Sequence, residues 1–198
     1  MSALASNSVF WVGEGTMIFP NRGFTLVELM VTVAVVAIVI SIAIPSFNSM
    51  ITNNRSVTIA NELADVLSFA RTQAVGRSAR ISICASNTGT SCAGDWEDGY
   101  IVFIDTAVTD TAPAPAVGEV LKYSQKPKGN VEFTVGYGDD GATPASFFRY
   151  TSAGTLARLS NEALEINSKI IGCTGDYARV INITLAGQTI IQRKACGT

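Results

Sequence analysis

From Leu29 to Ile44 every residue is apolar except Thr32 and Ser41, and between Arg22 and Arg55 the only charge is Glu28. Phe24 to Phe47, 24 residues, would make a helix of about 36 Å, enough to cross a hydrocarbon core of roughly 30 Å. So long a nearly uncharged run argues against a core helix of a soluble domain. It also exceeds the apolar region of a secretory signal, and no small-x-small cleavage site follows it. A basic residue, Arg22, lies ahead of the run, so the positive-inside rule places the N-terminus in the cytoplasm and the bulk of the chain outside. After Pro45 the pattern changes. Ile59, Leu63, Val66, Leu67, Ala70 and Ala74 recur at helical spacing, with Asn61, Glu62, Asp65, Ser68, Arg71 and Gln73 interleaved. This predicts an amphipathic helix whose apolar stripe lies on a sheet, with Gly76 as its end. Phe24 to about Val75 then reads as one helix of some 52 residues, roughly 78 Å long, kinked or locally opened at Pro45.

From Arg80 onward the pattern turns β-like. Arg80–Ala85, Gly99–Asp105, Glu119–Ser124, Val131–Val135, Ser146–Tyr150, Leu164–Ile171, Ala178–Leu185 and Gln188–Arg193 are short runs rich in Ile, Val, Phe, Tyr and Thr. Ala186-Gly187 between the last two reads as a hairpin turn, and the Ala/Thr/Pro-rich stretch Thr106 to Gly118 reads as an exposed loop. The expected class is α+β: a long N-terminal helix, transmembrane in its first half and amphipathic in its second, packed on an antiparallel β-sheet head.

Composition narrows the chemistry. Of 198 residues 47% are hydrophobic and 15% charged, against roughly 25% charged in ordinary soluble domains, and the apolar surplus sits in the first helix. The chain has no histidine, which excludes Ser-His-Asp and Cys-His hydrolases, His-ligated zinc or haem, and His-based general acid–base catalysis. There is no Gly-rich phosphate loop after a strand and no metal-ligand spacing. The reading is therefore a non-enzyme with no cofactor, no metal and no catalytic residue. A net charge of −2 does not favour wholesale phosphate-driven binding of nucleic acid.

All four cysteines lie beyond the apolar run, on the outer side, where an even count favours disulfides. Three pairings are open; the two local ones, Cys84–Cys92 and Cys173–Cys196, are preferred. The acidic turns at Asp95-Trp96-Glu97-Asp98-Gly99 and Asp139-Asp140-Gly141 could offer oxygen ligands to calcium, but neither matches an EF-hand loop, and solvated turns are far commoner. Trp96 reads as a core or subunit-packing aromatic. Among the cations, Arg71, Arg77 and Arg80 complement the C-terminal end of the helix. Lys122, Lys126 and Lys128 form a second group, and Arg179, Arg193 and Lys194 could form a small patch near the C-terminus.

The junction ahead of the apolar run is the most specific stretch: Arg22-Gly23-Phe24-Thr25-Leu26-Val27-Glu28. Gly23 lets a protease approach the peptide bond closely. Glu28, at the edge of a membrane span, is costly in lipid and calls for a partner. One candidate is the α-amine of Phe24 in a neighbouring subunit, were cleavage to expose it; the alternative is an interfacial carboxylate among headgroups. Gly-Phe-Thr-Leu-Val-Glu followed by an apolar helix resembles the class III signal of type IV pilins and type II secretion pseudopilins. The resemblance implies that a membrane-embedded peptidase cuts between Gly23 and Phe24 and methylates the new amine of Phe24. It also implies that Glu28 guides assembly, and Pro45 fits the proline of the family's helix. Met17 offers an alternative start, giving a seven-residue leader. Further on, Ile83-Cys84, Trp96, Gly99 to Asp105 and Phe148-Arg149-Tyr150 with Gly154 resemble the GspH/FimT group of minor pilins and pseudopilins. Its DNA-binding branch carries a Gly-Arg-x-Arg type motif; this chain has Gly187-Gln188-Thr189-Ile190 there, without either arginine.

The resemblance implies three parts: a leader at 1–23, a transmembrane and assembly helix at 24–52, and a globular head at 53–198. The expected role is a minor type IV pilin, a structural and priming subunit. The alternatives are a DNA-binding minor pilin for natural transformation and a minor pseudopilin of type II secretion. The implied partners are other pilin subunits, minor and major, the prepilin peptidase and the inner membrane, with DNA not favoured. The head would lie in the periplasm until the subunit joins a filament at the cell surface.

Overall fold

The computed structural model describes residues 23–127 and 129–197, the side chain of Pro45 excepted. The expected leader up to Arg22, with Met17, and Lys128 of the second cationic group lie outside the described residues. Two compact units divide between Ile44 and Pro45. One helix, α1 (Leu26–Arg77, 52 residues), carries the chain through both.

In the first unit the helix buries none of its side chains: Leu29, Met30, Val33, Ile38 and Ile42 are all exposed. This segment is long and apolar enough to cross a membrane. In the second unit Ile59, Leu63, Val66, Leu67, Ala70 and Ala74 are buried, the stripe read from the sequence. Arg77 is the last helical residue, and Ser78 turns the chain with a positive φ of 50°.

The strands are β1 (Ile81–Ala85), β2 (Gly99–Asp105), β3 (Val117–Gln125), β4 (Val131–Tyr137), β5 (Thr143–Pro144), β6 (Phe147–Tyr150), β7 (Leu164–Ile170), β8 (Ala178–Ile183) and β9 (Thr189–Lys194). They form a four-stranded sheet in the order β3-β2-β1-β6 and a five-stranded sheet in the order β5-β4-β7-β8-β9. Neighbouring strands run antiparallel throughout. The helix stripe meets both sheets in one core, with Ile81, Ile83, Tyr100 and Val102 from the first and Phe133, Val135, Ile166, Ile181 and Ile183 from the second. Trp96 stacks on Phe148, ring centroids 5.9 Å apart, and donates its Nε1–H to the Ala145 carbonyl at 3.0 Å. The β8–β9 turn places Gly187 at φ +77°, against the Gly154 carbonyl, where any Cβ would collide.

β1 is buried along its whole length, so both its faces are covered. α1 covers one face; Cys84, Ile101, Phe103 and Phe147 form a smaller cluster on the other. Beside that cluster lies a buried charge pair. Arg149 of β6 and Asp105 at the end of β2 have fully buried side chains, with Nη2 2.7 Å and Nε 2.8 Å from Oδ2. Ser82 donates to the same Oδ2 at 2.5 Å, and the amides of Ala107 and Ala116 donate to Oδ1 at 2.9 Å each. The rest of the guanidinium faces the 106–116 segment: Nη1 donates to the carbonyls of Thr109, Asp110 and Ala112, and Nη2 to that of Ala114. Arg80 adds a bond to the Ala107 carbonyl at 2.5 Å. The stretch read as an exposed loop does expose most of its side chains, but its carbonyls turn inward onto one arginine. Burial pushes the Asp105 carboxyl up, but the bonds from Ser82, the two amides and Arg149 outweigh it and hold the group below its usual range.

Two disulfides close loops of the head. Cys84–Cys92 ties β1 to the Ser/Thr-rich turn after it, with Cα atoms 5.6 Å apart. Cys173–Cys196 brackets β8 and β9, with Cα atoms 5.8 Å apart.

Arg149→Ala leaves Asp105 buried without its counter-charge and should cost roughly 3–5 kcal/mol, read as thermal unfolding of the full chain in detergent. Because the folded Asp105 pKa is depressed below 3.8, its contribution is fully present above that pH and is lost as pH falls through the folded value. Asp105→Asn should therefore be less stable than the parent at pH 7, with the gap narrowing well below pH 3.8; an unchanged gap would contradict the assignment. Peptide mapping without reductant should recover Cys84 linked to Cys92 and Cys173 linked to Cys196. Removing either bridge should cost about 2–4 kcal/mol in the same melts.

Candidate functional site

The N-terminal candidates sit where the helix starts. Gly23, Phe24 and Thr25 precede it without regular structure, and Leu26 is its first residue. Thr25 is the N-cap: its Oγ1 accepts from the Glu28 amide at 3.2 Å and its carbonyl from the Leu29 amide at 3.1 Å. Glu28 is thereby the third helical residue, where a carboxylate favours the positive end of the helix dipole. Phe24 is 82% exposed, and Glu28 makes no ion pair with a described residue. The two polar side chains within the apolar run satisfy themselves. Thr32 donates to the Leu29 carbonyl at 2.9 Å and Ser41 to the Ile38 carbonyl at 2.7 Å, so neither brings an unpaired hydroxyl into an apolar surround.

The cations near the C-terminus have three separate fates. Arg179 on β8 is buried, with Nη2 2.6 Å from Asn53 Oδ1 on α1 and Nη1 on the carbonyls of Ala178 and Asp176. Burial, and after it the Arg193 charge, push the Arg179 pKa down. Next to it on the helix, Ser56 donates to the Tyr177 carbonyl. Lys194 pairs with Asp140 and lies 3.6 Å from Glu165 and 2.9 Å from Asn167 Oδ1. Of the three, Arg193 is the exposed one, and its side chain makes no hydrogen bond or ion pair with a described residue. The three do not make a free basic patch.

The other cations serve the head. Arg71 holds the β8–β9 turn through the Ala186 carbonyl at 3.0 Å, Arg77 reaches Glu119 at 3.6 Å, and Arg80 reaches Asp110 at 3.4 Å. Lys122 sits over the Phe69 ring and Lys126 pairs with Asp98 at 3.8 Å. The acidic turns are likewise engaged: Glu97 accepts the Phe133 amide at 3.1 Å, and Asp140 meets Lys194. Sequence reasoning missed the Arg149–Asp105 pair. Its trace was a lone charge inside Phe-Phe-Arg-Tyr and another ending Tyr-Ile-Val-Phe-Ile-Asp.

Comparison with known proteins points the same way from both ends of the chain. A family model described as type II transport protein GspH matches residues 60–187, and one described as the prokaryotic N-terminal methylation motif matches residues 19–44. A type IV major alpha-pilin of Moraxella bovis is 37% identical over 44 residues, 22% of this chain and 28% of that protein, so the match spans little over a quarter of the relative. Two crystal structures of the type IV minor pilin FimU of Pseudomonas aeruginosa share the fold at 20% identity. One, in space group P21, aligns with a TM-score of 0.54 over 73% of this chain and 96% of FimU. The other, in P65, gives 0.50 over 71% and 98%.

Proposed function

From the premise that this chain belongs to the family described as type II transport protein GspH, we propose that it is a minor type IV pilin, a structural and priming subunit of a filament. The observation that carries the reading is an apolar helix segment, Leu26 to Ile44, with no buried side chain, opened by a capped turn that bears the segment's only charge. The proposed course begins with a peptidase cutting between Gly23 and Phe24, both outside regular structure and so open to attack. Methylation of the new Phe24 amine follows. The apolar helix holds the subunit in the inner membrane, with the head in the periplasm. Assembly then packs residues 24–47 among the same segments of other pilins. Glu28 is neutralised there by a neighbour's N-terminal amine, which balances a charge that lipid and filament core both disfavour. The disulfides suit an oxidising compartment and keep the head folded outside the cell.

The family description supports a second reading in the same class, a minor pseudopilin of type II secretion. The two readings share cleavage and helix packing and differ in what a deletion strain loses: surface pili, or export of secreted enzymes.

Mass spectrometry of the chain recovered from membranes should find Phe24, methylated, as the first residue. Glu28→Ala should leave the chain in the membrane but cut its amount in sheared filaments by at least about tenfold, as removing one partner of a desolvated charge pair does. A chain that keeps Gly23, or a Glu28→Ala chain that incorporates like the parent, would sink the reading.

A further inference from the structure

Charge is unbalanced at one edge of the five-stranded sheet. β9 is its edge strand, and the register sets Arg193 directly opposite Arg179 of β8. Cross-strand neighbours on one face are close enough for like charges to repel. Buried charges are ordinarily paired, yet among the described residues Arg179, 3% exposed, is met by neutral acceptors: one amide oxygen and two carbonyls. Those three bonds use three of its five N–H donors. The ion pairs of the described residues are made by Arg77, Arg80, Lys126, Arg149, Lys169 and Lys194, and neither Arg179 nor Arg193 is among them. Ile191, two residues before Arg193 and so on the same face, is 40% exposed. The edge thus presents an apolar side chain, an exposed guanidinium and a second positive charge buried behind it.

We propose that Ile191 and Arg193, backed by Arg179, form a docking surface for a neighbouring filament subunit that brings a carboxylate side chain to Arg193. This rests on the filament reading above. The carboxylate supplies the counter-charge that no described residue gives Arg193 or Arg179: it contacts Arg193 directly, while Arg179 adds attraction from beneath. Arginine is the charged residue enriched at interfaces, and an exposed apolar neighbour gives it a surface to bury there. A phosphodiester backbone is the poorer occupant. It needs a track of exposed cations, and the next one along β9, Lys194, is already neutralised by Asp140 and Glu165.

The test uses the full-length chain in cells that make the filament. Arg193→Glu should lower its amount in sheared filaments by at least about tenfold, while Arg193→Lys stays within about twofold of the parent. On the otherwise unchanged chain, p-benzoylphenylalanine in place of Ile191 should cross-link on irradiation to another filament subunit, at a peptide containing Asp or Glu. Changing that acid to Arg should restore Arg193→Glu. Parent-level incorporation of Arg193→Glu, cross-linking to DNA or to no filament subunit, or failure of the charge swap would each overturn the proposal. Loss with Glu28→Ala but not with Arg193→Glu would refute only this docking surface; parent-level incorporation of Glu28→Ala would refute the filament reading beneath it.

Discussion

The constraint on which everything else rests is apolar surface left uncovered among the described residues. From Leu26 to Ile44 no side chain of the helix is buried, and the exposed ones include leucine, valine, isoleucine and methionine along successive turns. At roughly 25 cal/mol for each Å² kept from water, such a segment is untenable in aqueous solvent and must be covered by lipid or by other protein. Its details fit that demand. The hydroxyls of Thr32 and Ser41 fold back onto the helix, and Thr25 supplies a cap at the end where backbone amides would be orphaned. Glu28 carries the segment's only charge and makes no ion pair among the described residues, so its carboxylate is the group most costly to bury there.

The head solves a related problem differently. β1 and β2 are buried on both faces, but only one face has a helix to cover it. The cover on the other side includes an irregular segment, and irregular backbone near a core must find partners for its carbonyls. Arg149 supplies them. Four carbonyls of the 109–114 stretch converge on a guanidinium whose charge is balanced by Asp105, and Asp105 in turn takes the amides at both ends of that stretch. One ion pair thus organises a loop that has no secondary structure of its own. A hydrophobic pair in the same place would fill the volume and leave those carbonyls and amides unsatisfied.

The elements legible in sequence were those governed by period. The helical stripe from Ile59 to Ala74 and eight β runs reappear, with strand ends shifted by two residues at most, because the same burial that spaces the apolar residues also builds the element. β5 was not legible: two residues, one of them proline, carry no period, and its pairing with β4 is fixed by the turn before it. The fate of single charges was equally hidden. Arg179, Arg193 and Lys194 look alike as letters. Strand alternation puts Arg179 and Arg193 on the face toward α1 and Lys194 on the other, and Asn53, more than a hundred residues earlier, receives the buried one. The Gly23 to Glu28 junction was readable for the opposite reason: its chemistry lies in consecutive residues and needs no tertiary contact to assemble.

The two arginines also show what the second disulfide does for the surface. Repulsion between Arg179 and Arg193 would favour fraying of β9, the last strand and an edge, where termini ordinarily loosen first. Cys196 follows Arg193 by three residues and is tied to Cys173 ahead of β8, and its amide donates to the Gly175 carbonyl at 2.8 Å. The covalent bracket therefore adds to the β8–β9 ladder and the Lys194 ion pair in holding the end of β9 against that repulsion. The edge so fastened is the one on which the proposed docking surface stands, with Arg179 behind Arg193.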